Sequence, residues 1–435
     1  MDAELGIVSF ENELGDGERY LSSVFAPEFG YGLWSGGLRL MYRWNRDDGR
    51  RDEDYDSFSD YLAVIRFVQF SEKYEEGWYG RLGDIDHAQL GYGQFVNRYR
   101  NTLSLDDPET GLILDSNEED YLVEGLFSDL AEFRVYGVRG AYQPFKADST
   151  HRFHRMSFGA TLAGDLSEEA RLVNRFENGL PFFEEDAPIG ADTIGLGAAE
   201  KVSPLTMIGI DAGMPVSTDR VDELTVFGEI GSILGFGVGL GVGLEMDHRF
   251  DDRWRVRAWV EQQLLGQEYV PSYFNSRYER DRIRTTTVTL ADSSEVDAIQ
   301  TKRNQLYARD EVDLGSYVSM EYRYRNDYRL RWSLQHSWTR EESGWFELDF
   351  RIRDPNLPFE IRYVFDRVNM NGIGDILGGD SADALHRVEF AYQVGDYILL
   401  GFRYRQSFEQ VERLGRRVGT DKSSRIEPAV IIRIQ

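Results

Sequence analysis

The sequence predicts an all-β protein, a single up-and-down antiparallel transmembrane β-barrel of about 16 strands, within a range of 14 to 18. Three observations carry this prediction. First, apolar and charged residues alternate with a period of two over stretches of about nine to thirteen residues. Second, these stretches follow one another without a helix between them. Third, short and long connections alternate along the chain. Residues 1–435 contain no composition shift or linker that would divide them, so one barrel domain is predicted.

The alternation is most regular in the C-terminal part of the chain. In the stretch 312–325, Met320 and Tyr322 lie on the apolar face, and Glu321 and Arg323 lie on the charged face. Sustained alternation of this kind is typical of half-buried strands. The sequence therefore predicts seven consecutive strands, of which the other six lie at 328–339, 346–353, 359–366, 387–393, 398–405 and 426–434.

The N-terminal part is less regular but contains about twelve further candidate strands. Together with the seven above they slightly overcount, which is why about 16 strands are predicted. The candidates lie near residues 20–34, 37–45, 58–70, 77–84, 120–127, 131–142, 152–164, 191–198, 204–212, 222–231, 235–247 and 253–265.

The stretch EYRYRNDYRLRW, residues 321–332, contains a turn whose length follows from side-chain parity. Residues that oppose each other in an antiparallel pair must point to the same face. A two-residue turn at Asn326 and Asp327 would set Arg325 against Tyr328 and mix the two faces. The sequence therefore predicts a three-residue loop over 325–327, which pairs Tyr324 with Tyr328, Tyr322 with Leu330 and Glu321 with Arg331.

The connections are predicted to be short at one end of the barrel and long at the other. Breaks at 326–327, 354–358 and 395–396 are short, whereas 369–384 and 409–424 are expected to be long loops. Two stretches, 85–102 and 283–311, break the strand pattern, and residues 294–307 within the second have helical spacing. Each of the two is expected to fold into the lumen or to form a long external loop.

The two faces of each strand can be assigned by comparing two environments. In a soluble β-sandwich the aromatic face would point to a core, whereas in a membrane barrel it meets lipid and the charged face lines the interior. The strand lengths match the roughly 9 to 11 residues that cross a bilayer. Aromatic residues such as Tyr322, Tyr328 and Trp338 recur near strand ends, as interfacial girdles do. The membrane barrel is therefore favoured over a soluble β-sandwich lectin or enzyme.

The charged face of the C-terminal strands is expected to line the lumen. The sequence leaves open whether this face is an ion-pair network that stiffens a closed lumen or a charged pore wall that selects solutes by sign. The expected lumen-lining residues are Glu321, Arg323, Arg325, Arg329, Arg331, Glu347, Asp349, Arg351, Arg353, Glu360, Arg362, Arg387, Glu389, Arg403 and Arg405.

A column of glycines is expected in one strand. The stretch GFGVGLGVGLEM, residues 235–246, has the spacing of a phosphate-binding loop, but it continues as alternation and no helix follows, so a dinucleotide site is not predicted. Glycine on one face of a strand permits close approach by another part of the chain. We therefore expect residues 85–102 or 283–311 to pack on the close-approach glycines Gly235, Gly237, Gly239, Gly241 and Gly243.

Composition excludes several classes of function. The formal net charge of −27 argues against a nucleic-acid partner, because polyanions are bound through clustered basic residues. The chain has 44 Arg, 5 Lys and no Cys, and arginine suits dense ion-pair networks. It contains no H-E-x-x-H and no G-x-S-x-G motif, and its acidic stretch 46–56 lacks EF-hand spacing. No catalytic residue, metal or cofactor is predicted, and the protein is not expected to be an enzyme.

Two stretches carry a resemblance to known proteins: WYGRLGDIDHAQLGYGQFVNRYRN, residues 78–101, and QQLLGQEYVPSYFNSRYERDR, residues 262–282. They resemble segments of a poorly characterised group of outer-membrane β-barrel, porin-like proteins of diderm bacteria, including spirochaetes. In that group a Leu-Gly-aromatic-Gly stretch and a Tyr-rich stretch after a strand recur. The resemblance implies an outer-membrane location and porin-like transport, and it carries no functional residues over to this chain.

The expected function is a passive outer-membrane channel for small polar or charged solutes, with selectivity from the Arg/Glu/Asp-lined lumen. The alternative is a non-conducting barrel whose lumen is filled by residues 85–102 or 283–311 and which acts as a structural or interaction protein. The expected partners are outer-membrane lipid, lipopolysaccharide, small polar solutes and a periplasmic or outer-membrane protein.

Overall fold

Side chains alternate between two faces along most of the chain, and the computed structural model closes these strands into one antiparallel barrel of 20 strands, β1 to β20 in chain order. The first and last strands pair with each other, with Ile7 opposite Val430, so the sheet has no free edge. The structure describes residues 2–13, 19–45, 49–51, 55–73, 76–102, 109–146, 153–167, 169–174, 176–177, 180–181, 199–216, 222–289, 295–307, 309–325, 327–378, 383–413 and 416–434.

Each barrel strand pairs with its neighbours in the sequence, which is the up-and-down order. The strands are β1 Asp2–Glu13, β2 Arg19–Tyr31, β3 Trp34–Leu38 with Leu40–Asn45, β4 Ile65–Phe70, β5 Gly77–Gly83, β6 Gly111–Asn117, β7 Tyr121–Phe127, β8 Val135–Tyr142, β9 Ser157–Asp165, β10 Leu205–Pro215, β11 Asp222–Ile233, β12 Val238–Arg249, β13 Trp254–Leu265, β14 Asp313–Tyr324, β15 Tyr328–Ser337, β16 Gly344–Ile352, β17 Phe359–Met370, β18 Ala384–Gln393, β19 Ile398–Arg413 and β20 Arg416–Ile434.

The remaining elements lie in the connections. The helices are α1 Phe58–Ala63, α2 Tyr278–Asp281, α3 Asn304–Tyr307 and α4 Asp375–Gly378, with a 3₁₀ turn at Glu169–Arg171. Short hairpins pair Ile283–Thr289 with Glu295–Thr301, Leu172–Asn174 with Ala199–Lys201, and Phe176–Glu177 with Leu180–Pro181, while Gly49–Arg50 extends the pairing of β3. No helix in the described part of the chain is long and apolar enough to cross a membrane.

The connections differ in length between the two ends of the barrel. One end, called here the short-turn end, carries most of the tight connections, such as 250–253 and 325–327, together with both chain termini. The other end, called the long-loop end, carries the connections 84–110, 166–204 and 266–312. The predicted rhythm of short and long connections is therefore present.

The number of strands corrects the prediction, since the barrel has 20 strands and not about 16. Two strands, β1 and β6, were not predicted, and the candidate at 191–198 lies outside the described residues. In β6, Leu112, Ile113 and Leu114 follow one another, and Ile113 is buried on the inner face. Because both faces of this strand carry apolar residues, the period-two signal disappears there.

Three local predictions also need correction. Residues 409–424 are not a loop, because β19 and β20 continue as one hairpin until Arg413 pairs with Arg416. Residues 58–63 form α1, so β4 begins only at Ile65. The helical spacing of 294–307 produces only α3, since Glu295–Thr301 is a strand. Polar residues interrupt the strict alternation in all three stretches, which left their secondary structure ambiguous in the sequence.

The register of the hairpin β14–β15 is the predicted one. Tyr324 pairs with Tyr328, Tyr322 with Leu330 and Glu321 with Arg331, so the loop contains three residues. Arg325 begins this loop with a positive φ of 50°. The predicted three-residue loop is therefore confirmed.

Candidate functional site in the barrel lumen

The strand alternation puts the charged side chains on the inside of the barrel. In β12 the outward Leu240 and Val242 are 43% and 53% exposed, while Gly241 between them is buried against Glu261 and Glu229. Fourteen of the fifteen charged residues singled out in the sequence lie on the inner face of β14 to β19 or at its rim. The exception is Arg325, which lies in the turn with its guanidinium 5.3 Å from the centre of the Tyr324 ring.

Six arginines oppose one another across six consecutive strands, β12 to β17. Each stands directly opposite the next in the strand register, and all six line the same cavity. Like charges in directly opposed positions destabilise a sheet unless they are compensated. The members of this arginine row are Arg249, Arg255, Arg323, Arg329, Arg351 and Arg362.

Carboxylates on the same inner face, two residues along the strand from members of the row, compensate part of its charge. The carboxylate of Asp349, which is fully buried, accepts hydrogen bonds from Arg329 Nη2 at 2.8 Å and Arg362 Nη2 at 3.2 Å. Arg331 Nη2 lies 3.7 Å from the same carboxylate. Asp349 is therefore the hub of a buried ion-pair network that joins β15, β16 and β17.

A first inward segment, residues 85–102, leaves β5 at the long-loop end and enters the lumen. Three of its side chains converge on the fully buried Glu347 of β16. His87 Nδ1 lies 3.2 Å from Glu347 Oε1, Arg100 Nη2 lies 3.4 Å from the same oxygen, and Arg98 Nε lies 3.6 Å from Oε2. Arg98 Nη1 also donates a hydrogen bond to Ser333 Oγ on β15. These contacts fix the segment to the charged wall.

The pKa values of this segment reflect burial among arginines. Burial, together with the charges of Arg331 and Arg100, lowers the pKa of His87 well below its usual value, so its contact with Glu347 uses a neutral imidazole. Burial would raise the pKa of Asp86, but Arg100 and other guanidinium groups hold it below the usual range. The segment thus presents one charged carboxylate and one neutral imidazole to the wall.

A second inward segment, residues 266–282, pairs with the first inside the barrel. Val96 and Phe274 form a parallel bridge, with Asn97 N donating to Phe274 O at 3.0 Å and Phe274 N donating to Phe95 O at 2.8 Å. Phe95, Val96 and Phe274 are almost fully buried in a hydrophobic core with inward residues of β6 to β13. One side of the lumen is therefore filled like the interior of a soluble protein.

The second inward segment is anchored by buried ion pairs. Arg277 Nε lies 3.0 Å from Asp366 Oδ1 on β17, and Tyr278 Oη donates to Asp165 Oδ2 on β9 at 2.6 Å. Arg282 Nη2 lies 2.8 Å from Glu279 Oε2. Burial, with the nearby negative charges, raises the pKa of Tyr278 well above its usual value. The segment therefore spans the lumen from β9 to β17.

The glycine column is approached by both inward segments. Gln94 Nε2 donates to Gly239 O at 3.2 Å, and a Cβ atom at Gly239 would lie 2.1 Å from Tyr269 Cε1. A Cβ at Gly237 would lie 1.8 Å from the carbonyl oxygen of Gln267. Gly241 and Gly243 instead face side chains of neighbouring strands, and Gly235 lies in a turn with positive φ and open space around it.

The residues 283–311 do not behave as one unit. Ile283–Thr289 and Glu295–Thr301 form the hairpin described above, whereas Asn304 and Leu306 of α3 are buried, and Leu306 belongs to the same hydrophobic core as the tyrosines of the second inward segment. The inward stretch next to them, 266–282, was not singled out as inward in the sequence. Its signal was the Tyr-rich run after β13, since Tyr269, Tyr273 and Tyr278 supply the buried rings.

Two cavities remain between the inward segments and the charged wall. The larger has a volume of about 1140 Å³ and is lined, among the described residues, by twelve basic and eight acidic side chains. The smaller has a volume of about 380 Å³ and is lined by ten basic and seven acidic side chains. Arg81, Asp86, Arg351 and Arg362 contribute to both cavities. Both cavities reach the short-turn end. Although the protein is acidic overall, basic side chains outnumber acidic ones in the lining of each cavity.

Ion pairs also close the seam of the barrel at the short-turn end. The carboxylate of Glu360 on β17 accepts from Arg433 Nη2 at 2.8 Å, and Glu4 on β1 accepts from Arg433 Nε at 3.0 Å and from Arg353 Nη2 at 2.8 Å. Arg353 and Glu360 were expected from the sequence, but Arg433 and Glu4 were not. Their strands, β20 and β1, meet only when the barrel closes, which no local pattern reveals.

Other functional residues were missed for similar reasons. Arg249 and Arg255 belong to the arginine row, and the parity of β12 and β13 could have found them. Arg98 and Arg100 alternate in the same way within NRYRN, but their segment is not a strand of the barrel. Of the acidic stretch 46–56, residues 46–48 and 52–54 lie outside the described residues. Within the described part of the chain, no group of three or more His, Asp or Glu is placed to hold a metal ion.

Comparison with known proteins yields matches in structure alone. No protein-family model and no curated protein sequence matches the chain. A Pseudomonas aeruginosa ferric enterobactin receptor mutant in complex with enterobactin aligns at 7% identity over 100% of this chain and 81% of the receptor, with a TM-score of 0.32. Pseudomonas aeruginosa OccK2 in complex with glucuronate aligns at 9% identity over 100% of this chain and 95% of OccK2, with a TM-score of 0.33.

Wzi of Escherichia coli, described as an outer-membrane, carbohydrate-binding β-barrel, aligns at 10% identity over 99% of this chain and 84% of Wzi, with a TM-score of 0.35. At these values of identity and TM-score, no function is inferred from the likeness.

Proposed function

We propose that the protein is an outer-membrane channel through which small polar or charged solutes pass along an Arg/Glu/Asp-lined lumen. One observation carries the proposal: a closed barrel presents apolar side chains outward and its arginine row inward to a cavity of about 1140 Å³. A closed barrel has no edge strand, so all of its backbone N–H and C=O groups are paired between strands. The hydrocarbon layer requires this because it contains no water to pair with them. Large polar cavities inside such a wall suit the passage of hydrated solutes.

The outer surface supports the membrane location. Its strand positions expose large apolar side chains around the barrel, which in a soluble protein would form an unusually extensive apolar patch. Lipid is the partner that such a surface fits, with lipopolysaccharide at the long-loop end if that end faces outward as in outer-membrane barrels. Examples from seven strands are Phe25, Leu114, Val138, Ile210, Val226, Leu240 and Leu400.

The inward segments would then act as the constriction of the channel. Both enter from the long-loop end, with their apolar side chains packed on β6 to β13 and their ion pairs reaching β16 and β17. The larger cavity is left beside strands β4 to β9 and β12 to β17, and the smaller one beside β1 to β5 and β16 to β20. A solute that traverses the lumen would pass between residues 85–102 and the arginine row. The charged wall would therefore select solutes at the narrowest point.

Electrophysiology tests the proposal directly. Purified protein, folded in detergent and added to a planar lipid bilayer, is expected to give discrete, ohmic conductance steps. A folded barrel that adds no conductance over many insertions would contradict the channel. Folding must be checked independently by far-UV circular dichroism and by a heat-dependent shift in gel mobility, so that silence is not caused by misfolded protein.

A second candidate function is favoured by the filled side of the lumen. Phe95, Tyr99, Phe274 and Tyr278 are almost fully buried between the inward segments and the wall, which is the packing of a stable plug. On this reading the protein is a non-conducting structural or interaction protein of the outer membrane. Silent bilayers with well-folded protein would favour it over the channel.

The membrane location has its own test. The protein is expected to need detergent or lipid, and size-exclusion chromatography after detergent removal should show aggregates. A monodisperse, detergent-free protein would contradict both candidate functions and favour a soluble β-barrel.

A further inference from the structure

One arginine of the arginine row, the fifth of the six, has no counter-charge in contact with it among the described residues. Arg351 of β16 stands opposite Arg329 on one side and Arg362 on the other. It lines both cavities, and it makes no ion pair or hydrogen bond with any residue that the structure describes. The charge of Glu360 acts on it less than the like charges of Arg353, Arg362 and Arg329 do.

A second arginine, in the smaller cavity, also has no ion pair with any residue that the structure describes. Arg387 of β18 stands between Val364 and Arg405 in the register. Asp86 and Glu389 are the opposite charges that act on it most strongly, yet neither forms an ion pair or hydrogen bond with it in the described part of the chain. Its guanidinium lines the smaller cavity, and no residue that the structure describes accepts a hydrogen bond from it.

The rest of the wall shows that such isolation is not needed to build the barrel. A neighbouring row alternates in sign across the same strands and pairs every charge with its opposite: Asp247, Arg257, Glu321, Arg331 and Asp349. Opposed like charges cost stability, and a guanidinium withdrawn from bulk water without a partner costs more. Two arginines that line one cavity and form no ion pair with the described residues can together bind an anionic ligand.

The dimensions of the site limit the ligand to a small molecule. Strands β16 and β18 are separated by one strand, and Arg387 lies two residues along β18 from Glu389, which stands opposite Arg362. The two arginines therefore leave the wall roughly 12 Å apart. Arg362 lies on the strand between them, where Asp349 holds it at 3.2 Å. The cavity volume of about 380 Å³ is within the range of small-ligand sites. Guanidinium groups bind carboxylate and phosphate oxygens through paired, charge-assisted hydrogen bonds.

We infer that Arg351 and Arg387 form a saturable binding site for a small dianionic solute, with carboxylate or phosphate groups, in the smaller cavity of the lumen. The cavity reaches the short-turn end beside Arg353 and Arg433, so the ligand enters from that end. The inference rests on the proposed function in one respect, since it names the class of solute that such a channel would hold on its way.

Isothermal titration calorimetry of the folded, detergent-solubilised full chain measures this binding without any need for conduction. Succinate and inorganic phosphate are the dianionic probes, and acetate is the comparator with one charge. Saturable binding of at least one dianion is expected, with acetate at least tenfold weaker. Arg351→Gln and Arg387→Gln are each expected to weaken the binding by about tenfold or more, the size of one charge-assisted hydrogen bond.

Two controls separate binding from folding and from overall charge. Lys146→Gln removes one positive charge from the connection between β8 and β9 at the same end and should leave the affinity unchanged. Because Arg351 has arginines on both sides, Arg351→Gln should not lower the urea midpoint of unfolding. A merely structural role would lower the midpoint and leave binding intact, which would overturn the inference.

The outcomes also separate this inference from the proposed channel. Dianion binding that is lost in both arginine variants supports the site whether or not the protein conducts. Conduction without saturable binding of succinate or phosphate, or equal affinities in the wild type and both variants, overturns the site and leaves the channel standing.

Discussion

At the scale of single residues, the lumen shows how one buried carboxylate holds several like charges together. Arg329, Arg331 and Arg362 lie on two different strands, and all three are within 3.7 Å of the Asp349 carboxylate. Arg362 and Arg329 are separated in the register only by Arg351, so Asp349 is the carboxylate that these three neighbouring strands bring between them. Buried ion pairs of this kind are costly to break because they leave charges unpaired.

The first prediction concerns this carboxylate. Asp349→Asn should lower the free energy of unfolding by on the order of 3 kcal/mol, because three guanidinium groups lose their shared counter-charge. Urea titration of the folded barrel in detergent or lipid, followed by tryptophan fluorescence, measures the change. Asp396→Asn, in the exposed turn between β18 and β19, is the matched control and should change stability by less than about 0.5 kcal/mol. Equal midpoints for the two variants would contradict the role of Asp349.

The second prediction concerns pH and His87. Because burial and then the charges of Arg331 and Arg100 lower the pKa of His87, the unfolded chain binds a proton near pH 6.5 that the folded barrel does not. The resulting stability is present above that pH and is lost as the pH falls toward the lower pKa of the folded state. At one pH unit below 6.5 the loss is about 1.4 kcal/mol.

The measurement compares the wild type with His87→Gln between pH 7.5 and pH 5.0, since every other titrating group is common to both. The wild type should lose more stability than the variant over this range. Parallel dependence on pH in the two proteins would show that His87 protonates freely in the folded state.

At the scale of elements, the sequence predicts those strands whose outer face is apolar and whose inner face is charged. The strands β14 to β18 have this alternation, and the alternation was sufficient to predict the register of the β14–β15 hairpin. It fails at β6, where Ile113 packs inward on the first inward segment and makes both faces apolar. The period-two pattern therefore identifies a barrel strand only where the inner face of that strand is polar.

The inward segments are the elements that periodicity cannot place. They meet through the bridge between Val96 and Phe274, which are far apart in the sequence, and no local pattern encodes that contact. The glycines of β12 gave a partial signal, because Gly239 is open to the Gln94 side chain and the Tyr269 ring. A strand with glycine on one face indicates that something approaches it, but not which segment does so.

The third prediction tests this close approach. In Gly239→Ala the new methyl group would lie 2.1 Å from Tyr269 Cε1, and the buried tyrosine has little room to move. Overpacking of this kind costs about 1 to 3 kcal/mol. The variant should unfold at lower urea concentration and should expose residues 266–282 to limited proteolysis.

Gly140→Ala provides the control, since a Cβ at Gly140 of β8 meets nothing within 4 Å. Its urea midpoint and its proteolytic pattern should match those of the wild type. If Gly239→Ala behaves like this control, the second inward segment does not pack on the glycine column in solution.

At the scale of the whole molecule, the barrel divides its charge between inside and outside. The chain carries a formal net charge of −27, yet both lumen cavities are lined by more basic than acidic side chains among the described residues. The surplus of carboxylates must therefore lie elsewhere, in the connections and at the rims. Net charge read from the sequence thus predicts the wrong sign for the lumen, because it does not record which face each residue occupies.

The last prediction follows from this division. If the barrel conducts, it should prefer anions to cations, because a permeating ion meets the arginine row and not the acidic connections. The reversal potential in a gradient of KCl between 0.1 M and 1 M measures the preference, and its sign should be that of chloride. Raising the ionic strength on both sides should reduce the preference, since the screening length falls from about 10 Å at 0.1 M to about 3 Å at 1 M. Replacement of both Arg323 and Arg329 by Gln should shift the potential toward the cation side, and a cation-selective wild-type channel would show that the rims, and not the arginine row, control permeation.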